Sequence, residues 1–310
     1  TRSEIRGHGS TDAGRRAGQP MTENDEKYLH KLLKQIELDQ LDRDLFIGEG
    51  EGGRGRLFGG FVAAQSVVAA YRTIETDEPR HLHSLHAYFL RPGKRNVPIR
   101  YVVYRIRDGK SFTTRDVVAY QSGEAIFNLS ASFVKHEEGL TYQEPMPEAP
   151  DPEGLPHWDF VRPDRRRRKE DDEHRRWHRE RPIDIVACDR PEDLPRGATP
   201  PPRRVWIRVR GKLPDDPAVH AALMTYATDS GLMSTGRPPD MPFDGGFGAS
   251  LDHAVWFHRP PRFDDWLLFT SEAPVAAAGR ALVYGAMWSR DGIRVASVAQ
   301  EGLHRYARKD

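Results

Sequence analysis

The feature that most constrains this chain is an internal repeat. Tyr88-Phe89-Leu90-Arg91-Pro92 is echoed by Trp256-Phe257-His258-Arg259-Pro260, and similar elements flank each copy in the same order. In the first half, Phe58 to Ala70 is small, apolar and long enough for a buried helix, and β-like runs follow at 82–90, 97–107, 112–120 and 125–135. Asp108-Gly109 and Ser122-Gly123 are turn signals that make these runs antiparallel neighbours. In the second half, Asp215-Asp216-Pro217 is a helix start, with an acidic cap and proline in the first turn. The helix spans 217–230, with Val219, Ala222, Leu223 and Tyr226 on its apolar stripe, and strand-like runs follow at 250–258, 265–272, 279–289 and 293–304. Asp291-Gly292 supplies the last hairpin turn. Two copies of a helix-plus-four-strand unit imply an α+β chain in which each long helix lies on an antiparallel sheet.

Around this repeat the chain divides into four stretches. Residues 1–23 form a polar extension expected to lack stable structure, 24–138 the first unit, 139–203 a linker and 204–310 the second unit. Within the first unit, Leu29, Leu32, Leu33, Ile36, Leu38 and Leu41 trace a stripe that reads as a helix over 24–46. The linker holds Pro145, Pro147, Pro150, Pro152 and Pro156, which leave little room for helix or central strand. It also holds Arg165 to Arg181, with nine basic and five acidic residues, which reads as a solvated helix or bridge before it reads as an anion contact.

Composition excludes several classes. The formal net charge of +1 argues against a globally basic nucleic-acid binder. Cys188 is the only cysteine, so an intrachain disulfide or a cysteine-rich metal site is impossible, which fits a reducing compartment. No apolar run approaches the roughly 20 residues of a membrane helix. Thr1 to Pro20 lacks the apolar core of a secretory signal, and Arg308-Lys309-Asp310 does not match a peroxisomal Ser-Lys-Leu ending. A cytoplasmic protein without a membrane span is expected.

Several strings resemble the acyl-CoA thioesterase II family, built as two fused hotdog folds (TesB-like, double hotdog). They are Leu57-Phe58-Gly59-Gly60, the run from His83 to Gly93, Asp108 to Arg115, Ser250 to Pro260, and Ala296 to Gly302. Their order and spacing cover roughly residues 27–307. The resemblance implies hydrolysis of acyl-CoA to free acid and coenzyme A with no metal or redox cofactor. It also implies a water activated by a carboxylate on the second long helix, a hydroxyl at a strand start and a glutamine on the last strand. These positions fall on Asp229, Ser250 and Gln300, with serine where the family usually has threonine.

The residue types suit that chemistry. A thioester is already activated by its thiolate leaving group, so a positioned water and a base suffice. Asp229 sits beside the apolar stripe of its helix, three residues after Tyr226, and partial burial there would raise its pKa. Ser250 and Gln300 can each donate and accept, so both can orient one water. Gly59 and Gly60 stand at a helix N-terminus, where backbone N–H groups could face an oxyanion and a thioester could approach closely. Position in the helix matches Gln65 of the first copy to Asp229, with Gln65 as polar support near the substrate, and strand position matches Ala131 to Gln300. One composite site per chain is therefore expected.

Other residues carry weaker alternatives. Arg115, and less so Arg91 and Arg259, could bind coenzyme A phosphates through guanidinium forks. His83, His86, His253 and His258 suggest a metal set, but none has helical HxxxH spacing, and structural roles are favoured. Asp252 and His253 are strand neighbours pointing to opposite faces, so they cannot form a dyad. Neither Ser66 nor Ser84 lies in a Gly-x-Ser-x-Gly elbow, and Gly48 to Gly55 lacks the ending of a phosphate loop. An acyl-CoA binding or sensing module and an enoyl-CoA hydratase remain as rivals. Hotdog proteins assemble readily, so a homodimer or homotetramer is expected.

Overall fold

A computed structural model describes residues 23–53, 55–155, 183–189, 203–236 and 247–305. The first half opens with α1 (Glu23–Ile36), acidic in its first turn and buried along Leu29, Leu32 and Ile36. The stripe expected to extend this helix to residue 46 ends at Ile36, and two short strands follow, β1 (Asp39–Asp42) and β2 (Leu45–Gly48). Leu38 is buried but Leu41 is exposed, so the helical period fails there, and Asp44 turns the chain at φ 62°. Next comes α2 (Gly59–Tyr71), buried without a break from Gly60 to Ala70. A helix apolar all round belongs in the centre of a fold. The strands β3 (Arg80–Phe89), β4 (Ile99–Asp108), β5 (Phe112–Gln121) and β6 (Glu124–Lys135) complete the half, close to the sequence expectation.

The second half repeats this with two strands ahead of its helix. They are β7 (Ile183–Ala187) and β8 (Arg203–Val209), followed by α3 (Pro217–Thr228) and a turn of helix, α4 (Leu232–Thr235). The stretch 139–203, expected as a linker with little room for helix or central strand, contributes β7, which takes the outermost place in its half and so loses no central ladder to nearby prolines. The charged block 165–181 and the extension before Glu23 lie outside the described residues. Asp216 caps α3 by accepting from Ala218 N–H at 2.8 Å, and Pro217 occupies its first turn. The remaining strands are β9 (Phe247–Ser250), β10 (Asp252–Phe257), β11 (Leu267–Ala277), β12 (Arg280–Ser289) and β13 (Arg294–Arg305).

Among the described residues one antiparallel sheet runs β1-β2-β4-β5-β6-β3-β10-β13-β12-β11-β8-β7, with β9 also on β13. Each half has the same internal order, reversed about the β3–β10 junction. There Tyr88 pairs with Asp252, His86 with Ala254 and Ser84 with Trp256, so the echoed residues Tyr88 and Trp256 sit symmetrically about the His86–Ala254 pair. The helices α2 and α3 lie together against this sheet, the start of one beside the end of the other: Phe58 and Tyr226 meet edge to face at 4.9 Å. This is the expected double hotdog. Across the opposite sheet face, Met146, Ala149 and Leu155 cover Trp206, Trp266 and Trp288, and Trp206 Nε1 donates to Pro150 O at 2.7 Å.

The run expected as one strand over 250–258 contains a slip. Ser250 pairs with Gly302, yet Ala254 pairs with Ala299, so one extra residue is accommodated between them. Leu251 N–H donates to Glu301 O, and Asp252 Oδ1 accepts from Glu301 N–H at 2.6 Å. Residues 250 and 253 would face opposite ways in a regular strand. The bulge turns both toward the helices.

Candidate active site

Three elements converge where the halves meet. Asp229 is the C-cap of α3 and is only 7% exposed. Its Oδ2 accepts the N–H of Gly60, the second residue of α2, at 2.8 Å. A carboxylate of one half therefore caps the helix of the other. The positive end of α2 and this N–H favour the charged carboxylate. Both glycines are dictated by the approach. A Cβ on Gly60 would lie 2.7 Å from Tyr226 O, and one on Gly59 would lie 2.5 Å from the Phe89 ring and 2.9 Å from Asp229 Oδ2.

From the sheet side, the Oγ of Ser250 lies 3.5 Å from Asp229 Oδ1 and accepts from Gln300 Nε2 at 2.7 Å. Gln300 is buried on β13, and its Oε1 lies 2.7 Å from His253 Nδ1. His253 is fully buried on β10, and its Nε2 lies 2.9 Å from Thr228 Oγ1 at the end of α3. Burial pushes the imidazole down to about 4, against a smaller opposing effect of its bond to Gln300, so it is neutral at pH 7. Asp229, Ser250 and Gln300 thus stand together. The sequence reading placed His253 among structural histidines and did not single out Thr228. The only available signal for His253 was strand alternation: Asp252, its neighbour, faces away and bonds Glu301.

The other expected residues lie elsewhere. Gln65 sits mid-helix in α2, donates to Gln35 O at 2.6 Å and Glu49 O at 3.3 Å, and accepts from Tyr101 OH at 2.5 Å. It supports the packing of the first half and does not stand where Asp229 does. The residue at the matching C-cap of α2 is Arg72. The strand match is upheld. Leu85 pairs with Ala131, and by register about the junction this pair corresponds to His253 beside Gln300.

Arg115 is completely buried, and all its N–H groups have internal acceptors: Thr73 Oγ1 and O, Arg107 O, Thr114 O and Asp108. The expected phosphate contact is corrected to an internal clamp, because a guanidinium so saturated has no donor left for an anion. Arg91 donates to Ala125 O and faces Glu124, and Arg259 donates to His258 O. His83 and His258 bond Ser132 and Ser297, while His86 meets the Trp256 ring edge. Gly60 N–H, expected to be open to an oxyanion, is instead bonded to Asp229, which leaves Gly59 as the glycine at the first position of α2.

Comparison with known proteins agrees with this architecture. Residues 182–303 match the family described as acyl-CoA thioesterase, and residues 50–134 match the acyl-CoA thioesterase N-terminal domain. The chain is similar to acyl-coenzyme A thioesterase 8 of Mus musculus, at 37% identity over 87% of each chain. It is similar to acyl-CoA thioesterase 2 of Haemophilus influenzae, at 31% identity over 90% of this chain and 98% of that one. Among solved structures it resembles the acyl-CoA thioesterase II TesB2 from Mycobacterium marinum, with TM-score 0.75 and 36% identity over 90% of this chain and all of the other.

Proposed function

The chain belongs to the acyl-CoA thioesterase family, and we propose that its hydrolysis of acyl-CoA runs through a water held by Asp229, Ser250 and Gln300. The observation that carries this reading is the convergence of a buried carboxylate, a hydroxyl and an amide from α3, β9 and β13. Asp229 takes a proton from the water as its oxygen attacks the thioester carbonyl carbon. The C=O electron pair moves to oxygen, which the N–H of Gly59 in the first turn of α2 would face. The tetrahedral intermediate re-forms C=O and expels coenzyme A thiolate, which takes the proton held by Asp229 and so restores the carboxylate. Ser250 and Gln300 fix where the water sits. A hydratase reading is weakened by the position of His253, which reaches Asp229 only by way of Gln300 and Ser250.

Release of thiol from decanoyl-CoA tests the proposal. Wild type turns over, and Asp229→Asn, which keeps the shape but loses the base, lowers kcat roughly 100-fold or more. An Asp229→Asn enzyme as fast as wild type removes Asp229 from the mechanism. Binding of acyl-CoA by wild type without turnover favours a sensing module instead.

Compartment and assembly belong to the same proposal: a cytoplasmic homodimer or homotetramer. No described helix is long and apolar enough to cross a membrane. Tyr88, Tyr104 and Tyr284 are exposed along the sheet, as an assembly surface would require.

A further inference from the structure

Inside the hydrogen-bond chain behind Ser250, the direction of each proton follows once Asp229 is taken as the acceptor at one end. Asp229 as a carboxylate can only accept, so the bond to its Oδ1 needs the Ser250 hydroxyl proton. Ser250 Oγ must then accept from its other neighbour, which requires Gln300 to present its NH2 there and its carbonyl to His253. That carbonyl needs a proton on His253 Nδ1. A neutral imidazole protonated at Nδ1 is bare at Nε2, so Nε2 takes the Thr228 hydroxyl proton, at the expense of the 2.8 Å bond that this hydroxyl can otherwise donate to Thr225 O.

The opposite arrangement is also complete for its first members. With the proton on Nε2, Thr228 accepts from His253 and donates to Thr225 O, 2.8 Å away. Gln300 must then turn its amide over, its carbonyl captures the Ser250 proton, and Ser250 faces the Asp229 carboxylate with lone pairs only. The two arrangements differ in whether the base is supported.

We infer that His253 is a positioning residue for the hydrolysis: protonated at Nδ1, it locks the Gln300 amide so that Ser250 donates to Asp229. The resulting series runs one way, Thr228 to His253 to Gln300 to Ser250 to Asp229, and every member except the last is a donor to the next. The inference rests on the Asp229, Ser250 and Gln300 reading. Burial that keeps the imidazole neutral is what makes its tautomer a choice at all. The first half holds the apolar pair Leu85 and Ala131 at the corresponding places, so a sheet of this geometry packs without the polar pair.

Two measurements on the full chain test it. Nitrogen-15 NMR of histidine-labelled protein at neutral pH, with His253 assigned by its loss in His253→Asn, reads the tautomer directly. A protonated Nδ1 with a bare Nε2 is expected; a protonated Nε2 with bare Nδ1, or an imidazolium, overturns the inference. Kinetics with decanoyl-CoA supply the second. His253→Leu lowers kcat roughly tenfold to a hundredfold while KM stays within about twofold. His253→Asn, whose amide nitrogen falls near the place of Nδ1, restores most of kcat. Equal losses in both folded variants reduce His253 to a packing residue. Wild-type rate in Asp229→Asn alongside the expected tautomer sinks the catalytic reading while leaving the proton arrangement standing.

Discussion

The two halves share an order of elements and differ in what they bury at equivalent places. On the first half's central strands Leu85 faces Ala131; on the second half's the corresponding pair is His253 and Gln300. At the end of the first helix stands Arg72, whose guanidinium donates to Leu38 O; at the end of the second stands Asp229, bonded to the opposite helix. The first half therefore uses its central positions for packing, and the second fills them with polar groups that hydrogen-bond one another in series. Duplication supplied two frames, and at these places the second carries a polar set where the first carries an apolar pair.

Copying the first half into the second should have the largest effect. His253→Leu combined with Gln300→Ala is expected to lower kcat/KM by about 100- to 1,000-fold while leaving a cooperative thermal melt. Retained activity in that double variant would mean the polar pair is incidental. The reverse copy, Leu85→His with Ala131→Gln, is expected to cost roughly 2–4 kcal/mol in denaturant unfolding, since it buries polar groups without evolved partners. It should add no activity in an Asp229→Asn background, because Arg72 occupies the place of the base. Recovery of turnover there would show that the halves are interchangeable.

Acid should separate the halves more gently. The folded pKa of His253 lies near 4, below its ordinary 6.5, because burial opposes the cation. The unfolded chain therefore binds the extra proton first. The stability that goes with a neutral His253 is complete above about 6.5 and is lost as pH falls toward 4, by an amount on the order of 3 kcal/mol. Across that window the melting temperature of wild type should fall more steeply than that of His253→Leu, which carries leucine at this place in both copies. Parallel pH profiles would contradict the assignment.

Much of this was legible in the sequence where local pattern and final structure agree. The strand runs that follow the buried helix in each half, and both buried helices, follow from alternation, turn dipeptides and the cap at Asp216. The hairpin of β1 and β2 was hidden because Leu38 and Leu41 continue a helical spacing past Ile36, and only pairing of β2 with β4 decides against it. Strand β7 was hidden by its proline-rich and charged surroundings. Asp229, Ser250 and Gln300 were reached through resemblance. What placed them together is a one-residue slip near Leu251 and a hydrogen bond between residues 169 positions apart, and neither leaves a periodic trace. Arg115 misled for a related reason: an arginine after a Gly-Lys turn reads as a surface cation until tertiary structure wraps acceptors around it.

The bond from Gly60 to Asp229 has one more consequence. Because Asp229 is held by the other half's helix, the molecule carries its own proof of assembly: a chain with only one half built lacks the Gly60 N–H that fixes this carboxylate. Heat or denaturant that parts α2 from α3 should silence turnover before the strands melt, making catalysis a more sensitive gauge of how the halves sit together than circular dichroism.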